Sequence, residues 1–244
     1  MASVVVTRTA YDGRMRQPLV IAVAQPPCVP GDVAANAVTH AGAIRSAGAR
    51  VVLFPELSLT GYELDAPAVA LDDPRLAPIV AACADTGSVA LVGAPVHGEH
   101  IALLAVDGTG ATVAYRKMWL GTAETTRFTP GGEPAVLDVD GWRLGLAICK
   151  DTGVPRHAAD TAALGIDAYL AGTVKFAHES DLQDERARRV ATGHRVWVAV
   201  ASFAGPTGGG YTGTAGRSSI VTPDGAVLAR AGTEPGATAR ATLT

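Results

Sequence analysis

Residues 144–151 read LGLAICKD, an apolar run that ends in Cys149 and then at once in two charges, Lys150 and Asp151. A strand buried on both faces has this form, because a half-exposed strand would alternate apolar with polar residues. The charges force the chain to the surface directly after the run, so the thiol is carried from a core to a polar rim. Two other stretches share the pattern. Residues 18–25, PLVIAVAQ, run into Gln25 and a Pro-Pro pair, and residues 49–56, ARVVLFPE, close on Pro55 and Glu56.

Between these strands the sequence signals helices. Asp32 stands at an N-cap position before an alanine-rich segment with helical apolar spacing to about residue 47, which Gly48 stops. A second helix is predicted over 74–86, capped by Asp72 or Asp73 and stopped by Gly87. The middle of the chain reads as hairpins. SVALVGAPV is a strand, Asp107-Gly108-Thr109-Gly110 joins the next two, and Asp140-Gly141 joins 135–138 to 142–148. The polar stretch 118–133 between them is a long loop, and such loops inside compact domains are often functional. Beyond Cys149 the pattern predicts a short helix over 155–164, a strand over 167–171, a charged helix over 180–194 and a strand over 196–204. A glycine-rich loop and a hairpin about Pro223-Asp224-Gly225 follow, and the residues after Ala231 carry no readable pattern. The architecture these signals give is α/β, with mixed sheets covered by helices in one domain over 18–244 and a leader or short extra strand over 1–17.

Composition limits the functions available. The 244 residues are 48% hydrophobic with a net charge of -3, enough apolar material for a large core and no basic field for nucleic acid or membrane. No apolar run is long enough to span a bilayer, and the N-terminus lacks the form of a signal peptide. Cys28, Cys83 and Cys149 lie far apart and the six histidines show no ligand spacing, so neither a disulfide scaffold nor a metal site is expected. A reducing cytoplasm fits.

Of the 20 basic residues only Lys117, Lys150 and Lys175 are lysines. A chain that otherwise uses arginine needs lysine where a compact charge, or one whose pKa can fall far enough to move protons, is required. Glu56 follows a buried strand and a proline, where partial desolvation raises a carboxyl toward the range of a general base. Lys117 ends a strand and opens the long loop, with Glu124 seven residues on, while Lys150 beside Cys149 offers a cation or backbone dipole to a thiolate. A Cys-His pair with His157 or His194 is an alternative that nothing else in their segments marks.

Together these residues resemble the carbon–nitrogen hydrolase family, or nitrilase superfamily. LFPELSLTGYE looks like its glutamate motif, YRKMWLGTAETTRFTPGG its lysine motif and LGLAICKD its nucleophile elbow. The resemblance implies a four-layer α-β-β-α sandwich, Glu56 as general base, Lys117 as catalytic lysine, Glu124 as supporting carboxylate and Cys149 as nucleophile. It implies no cofactor, and a homodimer or larger assembly. Hydrolysis of a small aliphatic amide or ω-amide through a thioester, releasing ammonia and a carboxylic acid, is the expected activity, with the Lys150 N–H as an oxyanion donor. Nitrile or N-carbamoyl amide hydrolysis would use the same residues, and a non-catalytic assembly module could use the same fold. Trp119 stands where the family usually has histidine, Arg156 where it has glutamate and Val154 where it has an aromatic residue. Trp119, Arg156, Thr173 and Lys175 are therefore expected to shape the pocket, with Arg156 and Lys175 reading an acid group on the substrate.

Overall fold

A computed structural model describes residues 16–244. Residues 1–15, most of the expected leader, lie outside the described residues. The first half of the chain forms β1 (Leu19–Ala24), α1 (Val33–Ala47), β2 (Val51–Leu53), α2 (Ala77–Thr86), β3 (Val89–Val96), β4 (His100–Asp107) and β5 (Gly110–Arg116). The second half forms β6 (Val136–Val139), β7 (Trp142–Ile148), α3 (Pro155–Ala162), β8 (Ala168–Thr173), α4 (Ser180–His194), β9 (Trp197–Ser202), β10 (Ser219–Val221), β11 (Val227–Arg230) and β12 (Thr238–Leu243). Two six-stranded sheets result, in the orders β12-β1-β2-β3-β4-β5 and β11-β10-β9-β8-β7-β6. Each is parallel at its centre, with β1-β2-β3 in one and β7-β8-β9 in the other, and antiparallel toward its edges.

Strand alternation explains the layering. Ile21, Val23, Leu53 and Leu91 point inward, where they meet Leu146, Ile148, Leu170 and Phe203 of the second sheet. Their neighbours Ala22, Val52, Phe54 and Val92 point outward, against Ile44 of α1 and Ile79 of α2. On the far side Tyr169, Ala171, Val198 and Val200 meet Ala187 and Val190 of α4. Central strands thus bury both faces, which is why they read as unbroken apolar runs. Each large side chain so buried contributes about 1.5–3 kcal/mol. The result is a helix–sheet–sheet–helix sandwich in one domain.

Local signals act as read. Asp32 accepts the Ala35 N–H at 2.9 Å and Gly48 closes α1 with φ +55°. Asp73, rather than Asp72, caps the next segment, whose first turn, Pro74–Leu76, is 3-10 before α2 begins. The expected strand over 49–56 is only three residues long, because Pro55 supplies no N–H and Leu57 turns the chain with φ +52°.

The tail after Ala231, which carries no readable sequence pattern, is ordered into a strand. Its last strand, β12, pairs antiparallel with β1 from Leu19↔Leu243 to Ala24↔Thr238 and completes the first sheet. Gln25, fully buried, fixes the approach: its amide donates to Gly232 O and Glu234 O at 3.0 and 2.9 Å and accepts from Ser218 N at 3.2 Å. Near the other end of β1, Arg16 stacks 3.5 Å over Trp142, whose indole N–H donates to Gln17 O at 2.9 Å.

Candidate active site

The site forms where β2, β5, β7 and β8 all end at one rim. Residues 55–57 turn between the two sheets with a glycine on either side. A Cβ on Gly93 of β3 would lie 2.3 Å from Leu57 N, and one on Gly172 of β8 would lie 2.7 Å from Phe54 O. Only residues without side chains allow both sheets to close on this turn, and the closure buries Glu56 completely.

Lys117 leaves β5 with its N–H bonded to Ile101 O, and Gly131 N returns to Lys117 O, so the long loop starts and finishes at this residue. Its Nζ stands 2.5 Å from Glu56 Oε1 and 2.7 and 2.8 Å from the two oxygens of Glu124. Glu124 is set by its 3-10 turn: its carboxylate also accepts from Gly121 N and from the Tyr62 hydroxyl, both at 2.6 Å. The pairing of Glu124 with Lys117 and the approach of Glu56 are as expected from the sequence. It gave no sign that Tyr62 joins them.

Cys149 opens a 3-10 turn, Cys149–Gly153, with φ +43°, a conformation that costs a non-glycine residue energy and aims its side chain away from the strand. The thiol donates to Val174 O at 3.4 Å, and Thr152 Oγ1 holds the Cys149 carbonyl at 2.7 Å. From α4, Arg189 donates to Thr152 O at 3.0 Å. Lys150 bends its ammonium to Leu120 O at 2.6 Å, tying the turn to the lysine loop rather than setting charge beside the thiol.

Burial and charge decide the protonation states. Burial lifts the Glu56 carboxyl to about 7, although Lys117 opposes the rise. Burial and the nearby Glu56 charge push the Cys149 thiol to about 12, with Lys117 and Lys175 pulling the other way. Burial would lower the Lys117 pKa, yet Glu56, Cys149 and Glu124 together raise it, so of the two uses of lysine the compact cation is the one that fits. Glu124 is held below the ordinary carboxylate value by Lys117, Tyr62 and Gly121 against its own burial. The second oxygen of Glu56 is buried with no hydrogen-bond partner among the described residues.

The four further expected contacts fare differently. Lys175 lies just past β8, near enough to act on the thiol, with its ammonium 3.6 Å from Glu179. Trp119 joins through its backbone, its N–H donating to Asp151 Oδ1 at 2.9 Å, while its side chain is 39% exposed. The expectation for Thr173 gives way. By strand alternation it faces α4, where its hydroxyl donates to Gln183 Oε1 at 3.1 Å in a buried setting. Arg156 is likewise corrected: its side chain is 82% exposed and pairs with Asp160 one helical turn along α3. His157 is buried and bonded to Tyr115 and Tyr169, which leaves no Cys-His pair there.

The glycine-rich loop supplies a feature the sequence did not reveal. Gly208 and Gly209 pack against Glu63 and Tyr62, and the loop carries Tyr211 to the site. Tyr211 meets Tyr62 edge-on at 5.2 Å and stacks on Phe176 at 4.2 Å, forming an aromatic wall beside Glu124. Among the described residues no group of three or more His, Cys, Asp or Glu side chains is arranged to hold a metal ion, and no helix is long and apolar enough to cross a membrane.

The family model described as Carbon-nitrogen hydrolase matches residues 20–244, and the chain belongs to that family. Among curated relatives, the "Hydrolase in pqqF 5'region" of Pseudomonas protegens is 31% identical over 225 residues, covering 87% of this chain and 78% of the relative. The fold is similar to a cysteine-to-alanine mutant of the amidase from Nesterenkonia sp. AN1 in complex with butyramide: TM-score 0.82, 26% identity, 92% of this chain and 90% of that one. Another mutant of that amidase shows covalent addition of the acetamide moiety of fluoroacetamide at its active site cysteine; it matches with TM-score 0.80 and 25% identity over 92% and 90% of the two chains.

Proposed function

We propose that this hydrolase cleaves a small aliphatic amide through a thioester on Cys149, releasing ammonia and a carboxylic acid. The observation that carries the reading is the buried ammonium of Lys117 clamped between Glu56 and Glu124 at the rim where Cys149 opens its turn. Such a cluster is expensive to bury and has a clear use in acyl transfer.

Glu56 takes the thiol proton as sulfur attacks the carbonyl carbon. A base near 7 is poised to accept that proton only as the sulfur bonds to carbon, since the free thiolate is far less stable in this setting. Lys117 and the Lys150 N–H hold the oxyanion, each such donor being worth about 2.7–4 kcal/mol. Glu56 returns its proton to the departing nitrogen, then activates water to release the acid. Glu124 keeps Lys117 charged and oriented throughout.

The amidase neighbours support an amide over other carbon–nitrogen substrates. The ion pair of Lys175 with Glu179 and the outward course of Arg156 favour an uncharged substituent over an ω-amide bearing an acid. Free cysteines support a cytoplasmic site, and a homodimer or larger assembly belongs to the same reading. Ammonia release from a panel of aliphatic amides, ω-amides, N-carbamoyl compounds and nitriles tests it. Wild-type protein should favour small aliphatic amides and Cys149→Ala should release no ammonia from any; activity surviving in that variant would end the proposal.

A further inference from the structure

Behind the Cys149 turn lies a buried chain of polar side chains that the chemistry above does not use. Asp151 accepts three hydrogen bonds: from Ile148 N at 2.9 Å, from Trp119 N at 2.9 Å and from the Tyr115 hydroxyl at 2.8 Å. The first donor lies just before Cys149 in the second sheet. The other two flank Lys117, which belongs to the first. One carboxylate therefore binds together the two chain segments whose relative placement decides whether thiol and ammonium can act on one carbonyl.

Behind Asp151 the chain continues through Tyr115 to His157. The Tyr115 oxygen is 2.8 Å from His157 Nε2, and His157 Nδ1 is 2.9 Å from the Tyr169 hydroxyl. Both Asp151 oxygens already face backbone N–H donors, so Asp151 is the acceptor and Tyr115 must spend its one proton on it. The Tyr115 oxygen, which also accepts from Met118 N at 3.2 Å, then needs a donor at His157. A neutral imidazole meets this with its proton on Nε2, accepting from Tyr169 on Nδ1. Every hydrogen in the chain is thereby directed toward Asp151, and His157 supplies the donor that completes the Tyr115 oxygen.

Resting on the roles given above to Cys149 and Lys117, we propose that His157, acting through Tyr115 and Asp151, is a positioning residue that holds the Cys149 turn in register with the Lys117 loop. Removing the imidazole takes away the donor to the Tyr115 oxygen and leaves a void beside the ring, so the ring can shift and draw its hydroxyl off Asp151. A small displacement between reacting groups is enough to cost rate.

The test compares wild type with His157→Leu, His157→Gln, Tyr115→Phe and the His157→Leu/Tyr115→Phe double variant. Two rates are measured: alkylation of the Cys149 peptide by iodoacetamide, followed by mass spectrometry, and kcat on an aliphatic amide. The Leu and Phe single variants should each lose about tenfold in both rates, with KM changed less than about twofold. Gln, which restores a donor toward Tyr115, should recover most of the loss, and the double variant should be no slower than either single one. Losses that multiply in the double variant, or folded His157→Leu alkylating at the wild-type rate, would overturn the proposal. If His157→Leu does not fold, Tyr115→Phe decides alone, because it removes one hydroxyl at nearly constant shape; a wild-type rate there refutes the chain. Alkylation needs no amide, so a protein with no amidase activity leaves this arm readable.

Discussion

At the scale of single residues, the site is governed by how burial divides the charges. Glu56 rises to about 7 because it is buried, and it must be ionised to accept the thiol proton. The fraction of active enzyme therefore grows as pH rises, and kcat/KM should climb through about pH 7 rather than near the ordinary carboxylate value of about 4.3. A pH–rate profile on an aliphatic amide checks this, and an acid limb below pH 5 would remove Glu56 from the role of base. Lys117 yields a second expectation. Lys117→Met leaves Glu56 and Glu124 facing each other without their shared cation, so unfolding in urea should show a loss of about 3–5 kcal/mol together with the loss of activity. Much of the candidate centre was legible in the sequence because Glu56 and Cys149 each follow a buried apolar run and Lys117 ends a strand, and the motifs around them carry the family resemblance. Tyr62 and Tyr211 were not legible. Their place depends on a glycine-rich loop folding back over a distant turn, which no local spacing records.

Among the elements, the 55–57 turn shows how strand ends are made to meet. Gly93 and Gly172 sit in apolar runs where glycine weakens a strand, and nothing in their local sequence marks a purpose for them. In the structure each is pressed against the backbone that presents Glu56, and backbone held between two sheets cannot retreat. Gly93→Ala should consequently destabilise the fold by about 1–3 kcal/mol and lower kcat more than it lowers Tm would suggest. Thermal melts and steady-state kinetics on the same preparation separate the two effects; unchanged kcat would show that the turn relaxes without moving Glu56. The misplacement of Thr173 has a related cause. The expected strand stops at Ala171, but β8 runs on to Thr173, and a period of two then assigns Thr173 to the helix side.

For the molecule as a whole, two mixed sheets packed face to face place one contribution from each at a common rim. The apolar runs and turn signals pointed to mixed sheets covered by helices, since both central strand sets lie buried on two sides, while the pairing of two sheets is what the family resemblance implied. The last strand escaped notice because alternation in TARATL uses alanine, a weak strand former, and pairs with β1 more than 200 residues earlier in the chain. Deleting residues 238–244 should expose the β1 edge, lower Tm and promote self-association, which a melt and light scattering would register. A monodisperse truncated protein with unchanged Tm would show that β12 is dispensable.

The central claim is that acyl transfer runs through the Cys149 sulfur. Its most direct test is the mass of the Cys149-containing peptide after rapid acid quench during turnover of an aliphatic amide. The account predicts an added acyl group on that peptide, removed by hydroxylamine, with Glu56→Gln forming little or none. An acyl group on another residue, or steady ammonia release with Cys149 unmodified and replaceable by alanine, would contradict it.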